Sequence, residues 1–122
     1  MTIATAMKMG AALPDVEQTT TWGAPALKVR GRMMACKAIN KQAEPNTLAV
    51  CIPIPQREEL IAAEPATYYL KPHYEDYPCV LVRLSHIHAD ALSDLMRMGL
   101  EFARSQATRK PPARRPKTRV QR

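Results

Sequence analysis

Apolar and polar positions alternate most clearly across residues 22–37, WGAPALKVRGRMMACK. Leu27 and Val29 take turns with Lys28 and Arg30, Gly31 interrupts, and Arg32–Lys37 resumes as a second short apolar run. Period-two alternation around a glycine predicts a β-hairpin with a tight turn near Arg30-Gly31-Arg32. The first strand of that hairpin has one apolar face and one cationic face. Residues 17–21, rich in threonine, are predicted as a strand feeding the hairpin. Further strands are predicted over 47–52 (Leu48, Val50 and Ile52 on one face), 67–70 and 80–84. Arg83 is expected opposite Val80, Val82 and Leu84. Pro53 and Pro55 end the 47–52 strand, because proline cannot donate to a ladder.

Helical spacing occurs three times. Ile3, Ala6, Met7, Gly10 and Leu13 recur over residues 2–13, and Pro14 is a natural stop. Residues 56–63 form a short helix with Pro55 near its first position and Glu58 and Glu59 at the favourable end. Over 89–104, Leu92, Leu95, Met96, Gly99, Phe102 and Ala103 make one stripe. Met98 and Leu100 lie off it, consistent with a wide buried face or with a partner surface. Segments 38–46 and 71–78 are loops, the second both polar and aromatic and so expected to be ordered. The order of elements predicts an α+β domain, with an antiparallel sheet of about five strands covered on one face by the N- and C-terminal helices.

At 122 residues the chain has room for one core. The net charge of +7 is unevenly placed. Residues 107–122 carry seven cations and no acid, and removing them leaves eleven basic against eleven acidic residues. The expected organisation is therefore a neutral domain over 1–106 and a disordered basic tail over 107–122. The three cysteines are far apart with no CxxC pair, which argues against a disulfide framework and a structural zinc site. No leader peptide and no membrane-length apolar run is recognisable, so a cytoplasmic protein without a membrane partner is expected.

Four blocks then combine. LPDVEQTTTWGAPALKVRGRMMA, QREELIAAEPATYYL, PHYEDYPCVLVRL and the terminal helix together resemble the MmcQ/YjbR family over about residues 3–105. That resemblance implies a CyaY-like (frataxin-like) α+β sandwich and a DNA-binding role. It supplies no agreed catalytic set. The chain departs from the family pattern at Cys79, at Pro53-Ile54-Pro55 and at His88-Ala89.

Two constellations carry the functional expectation. Lys28, Arg30, Arg32, Lys37 and Lys41 fall within fourteen residues that include no acid, a pattern suited to phosphate contacts. Arg109, Lys110, Arg114 and Arg115 of the tail would add attraction without sequence preference. Trp22, His73, Tyr74 and Arg83 form a candidate cleft if the 71–78 loop folds back over the sheet. Such a cleft either binds a base or a small ligand, or acts as a latch in which tyrosine hydroxyls and Arg83 satisfy the loop.

His73, His86 and His88 fit no zinc spacing, and the first helix lacks the acids that iron-binding relatives of the fold use. No GxSxG, P-loop or HExxH is present. No cofactor, no metal and no enzymatic activity are expected. The expectation is weak, largely sequence-independent DNA binding through hairpin and tail. The alternative is a small-ligand or protein-interaction module using the cleft, with no nucleic-acid role.

Overall fold

Thr2 starts the first helix by accepting a hydrogen bond from the Thr5 amide at 3.1 Å, the capping role its side chain favours. The structure, a computed structural model, describes residues 1–108. In chain order it contains α1 (Ile3–Ala11), β1 (Val16–Thr21), β2 (Ala24–Val29), β3 (Arg32–Lys37) and β4 (Thr47–Cys51). There follow α2 (Ile54–Ala63), β5 (Tyr68–Tyr69), a single 3-10 turn (Pro72–Tyr74), β6 (Cys79–Arg83) and α3 (Ala89–Thr108). All strand pairs are antiparallel, in the order β1-β2-β3-β4-β6-β5.

The fold is α+β, with six strands where about five were expected. The strand expected over residues 17–21 is β1, which pairs with β2 along its whole length, from Val16↔Val29 to Thr21↔Ala24, and completes the six. α2 begins at Ile54, two residues earlier than the sequence predicts, because Pro53 in extended conformation serves as its N-cap. α3 continues to Thr108, past the end of its apolar stripe.

The β2–β3 connection is the tight turn its sequence predicts. Arg30 (φ 51°) and Gly31 (φ 83°) both occupy the left-handed region, the signature of a two-residue type I′ turn. The β1–β2 connection has the same construction, with Trp22 (φ 52°) and Gly23 (φ 78°) at its apex. A bulky residue at positive φ is unusual. Trp22 is also 85% exposed, so neither the backbone nor the core accounts for an indole here.

The main core lies between the sheet and the helices. Met7 from α1 and Leu92, Leu95 and Met96 from α3 pack onto Leu27, Met34, Leu48 and Val82. Leu100 is buried with them, so the off-stripe residue reflects a wide buried face of α3. Met98 is half-buried in a shallow depression shared with Leu60 and Tyr68. The opposite face of the sheet has a smaller cluster of Ala49, Tyr69 and Leu81, against which Cys36, Ala38 and Tyr74 pack. β4 and β6 are therefore apolar on both faces, as near-continuous runs such as CVLVR require.

Candidate functional site

Hydrogen bonds hold residues 38–47 against β5 and the chain that follows it. The Tyr69 hydroxyl accepts from the Glu44 amide at 2.8 Å and shares a 2.7 Å hydrogen bond with Thr47 Oγ1. The Tyr74 hydroxyl accepts from the Asn40 amide at 3.4 Å, and the His73 amide donates to Gln42 Oε1 at 3.0 Å. His73 stands edge-on to Tyr74, with ring centroids 4.8 Å apart. The two loops thus roof part of the sheet's second face and stop short of the β1–β2 turn.

What remains between them is an open groove of about 550 Å³. Thr21 and Trp22 of the β1–β2 turn, Cys36 of β3, and His73 and Tyr74 of the 71–78 loop line it. Lys37, Ile39, Asn40 and Lys41 complete the lining, which contains no carboxylate. Ile39 is 50% exposed, so two large apolar side chains meet water at this one place. Burial raises the pKa of the Cys36 thiol, which therefore stays protonated and is not an activated nucleophile. The same cause pushes Cys51 up to about 12 and Cys79 up to about 11.

The structure brings Trp22, His73 and Tyr74 together as the sequence suggests, and leaves Arg83 out. Arg83 points from the same sheet face but stacks its guanidinium 4.2 Å from the centre of the Tyr69 ring. Its Nε and Nη2 donate to the Glu44 carboxylate at 2.8 Å each, a bidentate pair. Its Nη1 donates to the carbonyls of Pro65 and Ala66 at 3.1 Å. The hydrogen bond from Arg83 holds the Glu44 carboxyl below its usual range. Arg83 is a strap between loops and forms no wall of the groove.

The basic set also divides. Lys28 stands directly across from Glu17 on β1. Arg30 reaches Asp15 Oδ2 at 3.7 Å, and Arg104 binds the same oxygen at 3.0 Å. The acid-free stretch in the sequence is therefore met by acids from the neighbouring strand and the turn before it. Lys37 and Lys41 lie toward the other end of β3 and belong to the groove. Among the described residues no ion pair involves Arg32, Lys37 or Lys41. Arg109, Lys110, Arg114 and Arg115 lie outside the described residues.

Sequence reasoning missed Arg57. Its side chain is 5% exposed, and its Nη1 donates to the carbonyls of Glu75, Tyr77 and Cys79 at 3.4, 2.9 and 3.4 Å. Nε pairs with Glu58 at 3.1 Å. Arg57 thereby anchors the loop that carries His73 and Tyr74. The only signal for it was a polar loop with carbonyls in need of donors.

Among the described residues, no three metal-ligating side chains converge and no helix is long and apolar enough to cross a membrane. An antiparallel sheet with helices on one face and a lysine-bearing aromatic groove on the other defines the class of this domain. In three dimensions it is similar to a Deinococcus radiodurans protein, DR2400, described as a DUF419 domain. The TM-score is 0.70 at 22% identity, over 87% of this chain and 80% of that one. In sequence it is similar to uncharacterized proteins of Mycobacterium tuberculosis and Mycobacterium bovis, at 49% identity over 37 residues. That match spans 30% of this chain and 29% of each relative. No protein-family model matches the chain.

Proposed function

We propose that this chain is a MmcQ/YjbR-like domain of the CyaY-like type that binds DNA through phosphate contacts without reading sequence. The observation that carries this reading is the placement of Arg32, Lys37 and Lys41. All three are exposed on β3 and the loop after it, and none is in an ion pair among the described residues. Lys28 and Arg30, facing Glu17 and Asp15, contribute less than the sequence suggests. Arg30, in an ion pair with Asp15, must loosen that contact to meet a phosphate, and Glu17 across from Lys28 repels one. The distribution of charge supports the same reading only at one end of β3: residues 18–43 carry five cations and no acid, but Asp15 and Glu17 lie beside Arg30 and Lys28. The tail cations would add to the attraction.

Substituting Arg32, Lys37 and Lys41 together by serine tests it. Fluorescence anisotropy on several unrelated duplexes should show affinity lost to a similar degree on each. The slope of log affinity against log salt should become shallower by about 2–3, as three released counterions require. A loss confined to one duplex sequence contradicts a phosphate-only mode, and unchanged affinity removes these residues from the interface.

A further inference from the structure

We propose that the groove beside Trp22 seats one unpaired base of a single-stranded nucleic acid, stacked on the indole, with its flanking phosphates at Lys37 and Lys41. The proposal rests on the nucleic-acid reading above and narrows it to a site and a strand state.

The first argument is the placement of the indole. A type I′ turn favours Asn, Asp or Gly, which tolerate positive φ at little cost. Trp22 takes that position at φ 52° with 85% of its surface in water. It packs into no core and secures no turn, so its large flat face is available to a partner. Aromatic side chains presented this way are the stacking platforms of proteins that hold single strands, and they accept any base because every base has a π-face.

The second argument is what surrounds it. Ile39 and Tyr74 line the groove with the indole, and its volume of about 550 Å³ falls within the range of sites for small organic groups. Lys37 and Lys41 are exposed members of the lining, and no acid lines it. A planar apolar body carrying negative charge on either side is the chemistry that complements such a lining. A base with its two phosphates has that form. A base pair inside a duplex does not, because both faces of each base are covered by its neighbours.

The third argument is an unused hydrogen-bonding group. Thr21 Oγ1, adjacent to Trp22 in the lining, is buried with no hydrogen-bond partner among the described residues. Buried hydroxyls are rarely left so. The hydroxyl is closed to solvent in this structure, so a base edge reaches it only when the exposed Trp22 side chain shifts to admit the ligand.

The test uses the full chain and the fact that Trp22 is its single tryptophan. The intrinsic fluorescence is recorded while adding a short oligothymidylate, an abasic strand of the same length, or thymidine monophosphate. Quenching by the oligothymidylate but not by the abasic strand is expected, with the mononucleotide requiring far higher concentration. Trp22→Asn, which suits the turn better than the native residue, should lower oligothymidylate affinity about 10–100-fold by anisotropy, and Trp22→Phe should retain most of it. Abasic-strand binding should be the same in all three proteins.

Oligothymidylate and abasic strand binding equally, with Trp22→Asn unchanged, overturns the stacking site while leaving phosphate binding intact. Mononucleotide binding as tight as the strand overturns it in favour of a small-anion site. No binding of either strand while a duplex still binds overturns this proposal alone; no binding of strands or duplex overturns the nucleic-acid reading with it.

Discussion

Replacing Arg57 by methionine is expected to destabilise the domain by about 3 kcal/mol, although the new side chain fills nearly the same space. The guanidinium is the donor for three loop carbonyls, on Glu75, Tyr77 and Cys79, and a thioether donates to none of them. A buried carbonyl left without a partner costs about 1–3 kcal/mol, reduced here because Glu75 and Tyr77 are exposed and the Tyr77 carbonyl keeps the Cys79 amide at 2.8 Å. In a domain of this size a loss of 3 kcal/mol lowers the melting temperature by roughly 10–15 °C. Hydrogen exchange should show the 71–78 segment opening first. A melting temperature within a few degrees of the parent would mean that the carbonyls find water and that Arg57 is dispensable. Because His73 and Tyr74 line the groove, the same variant should weaken binding at Trp22, a residue it does not touch.

The second large effect is expected at Gly10. A β-carbon built there overlaps Leu27 Cδ1 and comes within 3.2 Å of the Met96 sulfur. Leu27 is fully buried and cannot move without displacing other core side chains, while Met96 is more adaptable. Gly10→Val should therefore destabilise by about 2–3 kcal/mol through overpacking. The gain in helix propensity, under 1 kcal/mol, does not offset this. Urea denaturation measures it: the midpoint should fall with the m-value unchanged. A midpoint equal to the parent's would show that α1 lies farther from β2 than the structure places it. This glycine is where the first helix approaches the sheet, so the residue that weakened the helical pattern is the one the packing requires.

How far the sequence could be read follows from the range of each interaction. The β2–β3 hairpin was legible because its alternation and its Gly31 turn are local. The α3 stripe was legible for the same reason, and its off-stripe Leu100 resolved into core once the sheet beneath it was known. The cationic cluster was misread in part. Its acid-free span is real along the chain, but β1 lays Glu17 across from Lys28, and the preceding turn brings Asp15 to Arg30. Neither pairing leaves a local mark, because β1 has too little alternation to declare its register. Arg83 was assigned to the right face and the wrong neighbour, since a strand over 67–70 is legible but nothing local says that it pairs with β6 and sets Tyr69 beside the guanidinium. The groove itself needed three separate segments to meet: the Trp22 turn, the end of β3 with the loop after it, and the 71–78 loop, held together by amides that donate to the Tyr69 and Tyr74 hydroxyls. Only the residue types, aromatic and cationic without acids, hinted at it.

The central claim is that the folded domain itself holds DNA. It is tested most directly by anisotropy titrations comparing the full chain with a 1–108 truncation, each at two salt concentrations. The 1–108 protein should still bind, more weakly and with a shallower salt dependence, the difference being the share of the tail. Complete loss of binding on removing residues 109–122 would contradict it, leaving generic attraction by the tail as the whole of the affinity.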